Sequence, residues 1–237
     1  MTMQVLLTKD QIHAARRTML SRGISAIDPP LRNLMRRLRL DRSPAVGDRL
    51  KSWDVLFAVE FIEKHVGKDE PLADIGCYAS EVLICLHRLG YTRLTGIDLN
   101  PKVREMPYAG AIRYEVGNFM KTPFPDGTFK AITSISVIEH GFAPQALLAE
   151  MSRLLQPGGF FIASFDYWPE KIDTTGTKFF GMDWLIISRA DVESFVAKAA
   201  GYGLQPTGKL EPSAQDRAIR CAGRDYTFAT LVLRKAS

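Results

Sequence analysis

Two short apolar runs, spaced so that a helix fits between them, restrict what this chain can fold into more than any other feature. The first, Leu72-Ala73-Asp74-Ile75, runs into Gly76-Cys77-Tyr78-Ala79-Ser80-Glu81; the second, Leu94-Thr95-Gly96-Ile97, ends at Asp98, 22 residues beyond Gly76. A strand, a tight turn, a helix from about Ala79 to Leu89 closed by Gly90, and a second strand make a parallel βαβ unit. Its turn backs on to a helix N-terminus, and the carboxylate that closes the second strand can accept bonds from both hydroxyls of a ribose. The spacing therefore predicts a nucleoside-binding half-fold, with its ligand beyond the carboxyl ends of the strands.

Strand-type and helix-type segments go on alternating from about residue 50 to about residue 210, which predicts a sheet with helices on both faces. Asp48 is placed to cap a helix whose apolar stripe is Leu50, Trp53, Phe57 and Phe61. Pro101 suits the first turn of a short helix, Ile112–Val116 a third strand and Ala131–Ser136 a fourth. A helix over about Pro144–Leu155 stops at Gln156-Pro157-Gly158-Gly159, Phe160–Phe165 forms a fifth strand, and a helix over Ala190–Ala200 follows a cap at Ser188. Gly203–Lys209 and Tyr226–Arg234 are separated by a loop too short for a crossover helix, so these last two strands pair antiparallel. The expected fold is α/β: a doubly wound, mostly parallel seven-stranded sheet with an antiparallel last strand. Residues 49–237 form this domain, with an insertion over about 167–187; residues 1–48 form an N-terminal helical cap, with Leu31, Leu34, Met35 and Leu38 on one face.

Composition narrows the class without naming it. Hydrophobic residues at 46% and charged residues at 24% are ordinary for a globular protein. No apolar run approaches the roughly 20 residues that span a bilayer, and the N-terminus lacks the basic lead of a secretion signal, so a cytoplasmic location is expected. Cys77, Cys85 and Cys221 show neither disulfide nor zinc spacing, and no metal is expected. The net charge of +5 is uneven: residues 1–50 hold ten Lys and Arg against four Asp, and the remainder carries −1. Such an excess suits an anionic substrate, a nucleic acid or a membrane surface, and equally a solvated helix face.

Six motifs in order carry a resemblance. Asp74-Ile75-Gly76-Cys77, Gly96-Ile97-Asp98, Gly117-Asn118, Pro123-Phe124-Pro125-Asp126-Gly127-Thr128-Phe129, Ser136-Val137-Ile138-Glu139-His140 and Leu154-Leu155-Gln156-Pro157-Gly158-Gly159 resemble the core of class I S-adenosylmethionine-dependent methyltransferases. The likeness covers about 40% of the chain, residues 72–166. It implies S-adenosylmethionine as cofactor, with Asp74, Gly76, Cys77, Tyr78 and Ser80 near its amino-acid portion and Asp98, with Leu99 beside it, at the ribose. Asn118 and Phe119 are then expected at the adenine, and Ile135 and Ser136 along the methionine side. Two positions depart from the family: Tyr78-Ala79-Ser80 stand where a Gly-x-Gly is usual, and Asn118 where the family is usually acidic. Glycine permits positive φ and close backbone approach, which Tyr78 and Ser80 permit less readily.

Methyl transfer needs an in-line nucleophile, and a general base only when the acceptor must lose a proton. His140 and Glu139, after the fourth strand, and Asp166, at the end of the fifth, are the candidate catalytic residues, with His140 the leading base. The expected acceptor is a small molecule or a saccharide, since Asp166-Tyr167-Trp168-Pro169-Glu170-Lys171-Ile172-Asp173 loosely resembles methyltransferases of glycan assembly. Two alternatives stand beside it: a nucleic-acid methyltransferase using the basic N-terminal segment, and a non-catalytic protein that binds S-adenosylmethionine. A dehydrogenase using Tyr167 and Lys171 on one helix face is disfavoured because Pro169 lies between them.

Overall fold

The alternation is realised around one nine-stranded sheet in the computed structural model, which describes residues 2–27, 36, 38, 40, 44–141 and 143–237. Its parallel part consists of β2 (Leu72–Ile75), β3 (Leu94–Asp98), β4 (Ile112–Val116), β5 (Phe129–Ile135) and β6 (Leu155–Tyr167). The antiparallel part is β11 (Arg224–Lys235) against β6, with β1 (Met3–Val5), β9 (Leu204–Pro206) and β10 (Ile219–Cys221) along it. The order β1-β11-β6-β5-β2-β3-β4 reverses direction between β2 and β5, and the crevice that such a reversal opens lies at the carboxyl ends of those two strands.

Helices cover both faces. On one face α1 (Lys9–Ser21), α2 (Ser52–His65) and α3 (Val82–Arg88) bury Met19, Val55, Ala58, Val59, Ile62 and Leu83 over the sheet. On the other, α4 (Pro144–Leu154) and α5 (Arg189–Ala200) bury Leu147, Leu148, Met151, Leu154, Val192 and Phe195. Ser188 caps α5 with its side chain accepting from the Asp191 amide, while Asp191 reciprocates, as the capping box requires. A third apolar cluster, Leu6, Ile12, Trp184, Ile186, Tyr226 and Phe228, lies apart from these two. A small hairpin, β7 (Lys178–Phe179) with β8 (Met182–Asp183), stands within the expected insertion.

Four expectations change. The N-terminal segment is not wholly outside the sheet: Met3–Val5 pair with Leu231–Ala229, because the outer edge of β11 has backbone groups that β9 leaves free. Much of the stretch that carries Leu31, Leu34 and Met35 lies outside the described residues. The buried face of α2 is Val55, Ala58, Val59 and Ile62, whose compact side chains let the helix approach the sheet; Leu50 is exposed, and Trp53, Phe57, Phe61 and His65 stack along the flank. Gln156–Gly159 do not separate helix from strand, since β6 starts at Leu155; Gly158 takes φ +69° and a Cβ on Gly159 would stand 2.9 Å from the Lys130 carbonyl, so the pair forms a bulge against β5. The loop expected before the last strand contains β10, a hairpin partner of β11.

Candidate functional site

The turn after β2 is held by its own backbone. Gly76 takes φ +67°, its amide donates to the Ile97 carbonyl at 2.8 Å, and a Cβ there would meet Val137 at 2.4 Å. The second positive φ of the turn, +62°, falls on Ala79 and not on Tyr78. The residue that replaces the usual glycine therefore sits in ordinary backbone, its ring half-buried against the α2–α3 side of the core. Beneath the turn Asp74 is buried: its Oδ1 accepts from the Thr133 hydroxyl at 2.7 Å and its Oδ2 has no hydrogen-bond partner among the described residues. Burial pushes this carboxyl up to about 7, against the lowering effect of the Thr133 and Ser80 hydroxyls. Cys77 is buried, its Sγ in the space a side chain at Gly96 would need, and burial pushes its thiol up, so it is unreactive.

Asp98 closes β3 beside this turn. Its Oδ2 accepts from the Tyr78 amide at 2.9 Å and its Oδ1 from the Asn100 amide at 2.8 Å. Two main-chain bonds fix the carboxylate plane and still leave each oxygen a second lone pair. Leu99 follows it with 58% of its surface exposed, an uncovered apolar face at the rim. Asn118 is exposed, with its Oδ1 accepting from the Met120 amide at 2.9 Å; Phe119 is half-buried against the α4 side of the core. At the end of β5, Ile135 is half-buried and Ser136 takes φ +56°, its hydroxyl donating to Glu139 Oε1 at 2.6 Å.

Glu139, His140 and Asp166 are brought together, with two residues that sequence reasoning did not single out. Lys51 Nζ lies 3.4 Å from Asp166 Oδ1, 3.9 Å from Asp54 Oδ2 and 3.4 Å above the Phe228 ring. Asp54 Oδ2 accepts from the Ser164 hydroxyl at 3.0 Å, and Asp166 Oδ2 from Trp184 Nε1 at 2.7 Å. Asp54 and Glu139 are fully buried, and Asp54 Oδ1, Glu139 Oε2 and His140 Nδ1 have no hydrogen-bond partner among the described residues. Burial raises Asp54 to about 7 against Lys51 and Ser164; burial, with Asp166 next, raises Glu139 to about 8 against Lys51. His140 is lowered by burial, which outweighs the attraction of Asp166. Burial acts to lower Lys51, yet the carboxylates of Asp166, Asp54 and Glu139 hold it above its ordinary value. The insertion closes over this group: the Leu185 amide donates to the Glu139 carbonyl at 2.8 Å, and Phe179 and Phe180 meet the His140 ring edge-on.

Residues 73–163 match the family described as a methyltransferase domain. Over these residues the sequence is that of a methyltransferase domain, as the six motifs imply. Among curated proteins this domain is similar to a sterol 24-C-methyltransferase of Gibberella zeae, 26% identical over 96 residues that cover 37% of this chain and 25% of that protein. It is also similar to a geranyl diphosphate 2-C-methyltransferase of Streptomyces ambofaciens, 28% identical over 46% of this chain and 41% of that one. The matches thus span less than half of these relatives' length. Two solved structures share the fold: the [4+2]-cyclase SpnF, with a TM-score of 0.60 at 16% identity over 80% of this chain and 84% of that one, and the geranyl diphosphate C-methyltransferase of Streptomyces coelicolor A3(2), with 0.56 at 18% over 76% and 78%. These relatives are named for sterol and isoprenoid acceptors, so the resemblance to glycan-assembly methyltransferases is not supported.

The domain also shows which local readings fail. Tyr167 and Lys171 do not share a site: the phenol donates to the Pro212 carbonyl, and Lys171 pairs with Asp191. Asp173 turns its carboxylate on to Thr175, away from the acidic group. Lys51 and Asp54 were missed, although an aspartate inside an otherwise apolar helix stretch, Trp53-Asp54-Val55-Leu56-Phe57, is itself a signal of a buried charge. Also unforeseen is the bond between the N-terminal helix and the turn after β2. Arg16 on α1 reaches buried Glu81 through Nη2 at 2.5 Å and Nη1 at 3.1 Å, and the Ala26 amide donates to the same carboxylate at 2.9 Å. The Gly47 amide donates to the Ala79 carbonyl at 2.8 Å, so residues before α2 rest directly on the turn.

Proposed function

We propose that this protein transfers a methyl group from S-adenosylmethionine to a small-molecule acceptor, the cofactor lying over the ends of β2, β3 and β5 and the acceptor against Glu139, His140 and Asp166. The observation that carries the reading is Asp98, anchored by the Tyr78 and Asn100 amides at the end of β3, the strand next to the crevice between β2 and β5. The donor set suits this cofactor. Asp98 offers lone pairs to a ribose diol, exposed Leu99 offers an apolar surface to a base, and unpartnered Asp74 Oδ2 calls for a donor such as an ammonium group.

When bound, the cofactor supplies an electrophilic methyl carbon on a sulfonium. The protein's part is position and proton management. Ile135 and Ser136 form the floor under the methionine side, and the Ser136 hydroxyl orients Glu139. Glu139, buried and raised to about 8, mostly holds its proton at about pH 7 and becomes a proton acceptor once it is ionised, as pH rises through about 8 or a cation binds beside it. It displaces His140 as the leading base, because the imidazole is turned on to Phe179 and Phe180 while the Glu139 carboxylate bonds the residue that closes β5.

The test is calorimetric titration with S-adenosylhomocysteine. Asp98→Ala removes a charged acceptor and is expected to weaken binding by about 1.5–3 kcal/mol, or about tenfold to a hundredfold. Unchanged affinity rejects the assignment of the ribose.

A further inference from the structure

We infer that the acceptor is an amine, which enters as its ammonium ion among Glu139, Asp54 and Asp166. The inference rests on the methyl-transfer reading and names the substrate class of the same site.

Charge is the first ground. Three carboxylates with little or no exposed surface share a single ammonium, that of Lys51, which bonds Asp166 and lies 3.9 Å from Asp54. Buried charge must be neutralised, because desolvation is costly: in the free protein protons do this for Asp54 and Glu139, and a second cation can take their place. Donor count is the second. One oxygen of each carboxylate is satisfied: Ser136 donates to Glu139 Oε1, Ser164 to Asp54 Oδ2, and Trp184 to Asp166 Oδ2. Glu139 Oε2 and Asp54 Oδ1 then remain without a donor among the described residues, on side chains with no exposed surface. An ammonium brings three donors and a positive charge to a group short of both; a hydroxyl brings one donor and no charge, and an acid is repelled.

The walls agree. Trp184 packs edge-on against Phe179 and Tyr226, and Tyr226 against Phe228, whose ring already carries the Lys51 ammonium. Aromatic faces attract cations and also receive an apolar substituent on the nitrogen.

The chemistry balances. One N–H proton of the ammonium passes to Glu139 Oε2, which frees the nitrogen lone pair. That pair bonds the methyl carbon as the carbon–sulfur bond breaks, and the breaking bond's electrons stay on sulfur as a thioether. The product leaves as a methylated ammonium, and the proton on Glu139 returns to solvent.

The experiment is calorimetry on the full chain saturated with S-adenosylhomocysteine, titrated with benzylamine, benzyl alcohol and benzoate in two buffers of different ionisation enthalpy. The titratable and charged groups around the ligand are Asp54, Glu139, Asp166, His140, Tyr226 and Lys51; Asp54 and Glu139, raised by burial, must release the protons they hold in the free protein to receive a cation. At about pH 7, benzylamine is expected to bind at least about tenfold more tightly than benzyl alcohol, with protons released, and benzoate not at all. Glu139→Gln and Asp54→Asn are each expected to weaken benzylamine by about tenfold while benzyl alcohol stays within about threefold. Equal binding of the alcohol, amine binding without proton release, an amine preference intact in both variants, or no amine binding at about 10 mM overturns the inference. Failure of S-adenosylhomocysteine to bind refutes the methyl-transfer reading instead.

Discussion

Arg16→Met isolates the contact by which the N-terminal helix holds the turn after β2. Arg16 uses Nη1 and Nη2 on Glu81, Nε on Ser52 at 2.9 Å and Nη1 on Ser25 at 2.8 Å, and its side chain is only 8% exposed. Methionine keeps most of the volume and none of the donors. It leaves Glu81, 1% exposed, with the Ala26 amide as its remaining donor and no counter-charge. Breaking a buried pair from one side costs about 3–5 kcal/mol, since the surviving charge stays desolvated. In urea melts with a slope of about 3 kcal/mol per molar, the midpoint should fall by about 1–1.7 M. Replacing both partners, Arg16→Met with Glu81→Leu, removes the stranded charge and should recover a large part of the loss. A single variant within about 1 kcal/mol of the parent, or a double variant worse than the sum of the singles, refutes the argument.

Two other outcomes follow from the same buried groups. Asp54 and Asp74 are raised to about 7 and Glu139 to about 8, whereas unfolded carboxylates ionise near about 4. Between those limits the folded chain binds more protons than the unfolded one, so stability is greatest on the acid side and declines as pH rises towards about 8. Urea midpoints should therefore be lower at about pH 8.5 than at about pH 5.5, and flatter in Asp74→Asn; a rise across that window contradicts the assignment. Gly76→Ala places a Cβ 2.4 Å from Val137 on backbone at φ +67°, and should cost about 2–3 kcal/mol in the same melts. A neutral Gly76→Ala would mean that the turn relaxes freely.

Local chemistry made much of the parallel sheet legible. The turn at Gly76, the carboxylate at Asp98 and the capping box at Ser188 depend on residues within a few positions or one βαβ unit of each other. The acidic group did not become visible that way. Asp166 meets Lys51 across 115 residues and Ser164 meets Asp54 across 110, and no periodicity in one segment encodes a partner in another. The α2 stripe misled for a related reason: counting apolar residues ranks Trp53, Phe57 and Phe61 highest, whereas close approach to a sheet selects the smaller Ala58 and Val59. At three residues, β1 is too short to show an alternating pattern, and it exists because β11 leaves an edge to pair.

That shared edge has a bearing on how the protein is born. Thr227 Oγ1 donates to the Leu6 carbonyl and the Leu6 amide to the Phe228 carbonyl, a junction of segments 221 residues apart. At ribosomal speed the opening strand must wait about 10–45 s for its mate. The Arg16–Glu81 clasp, 65 residues apart, can fasten long before, so the turn after β2 can mature on the nascent chain. The aromatic cluster containing Tyr226 and Phe228 is finished only when translation reaches β11, and until then Trp184 waits for the ring that covers its edge.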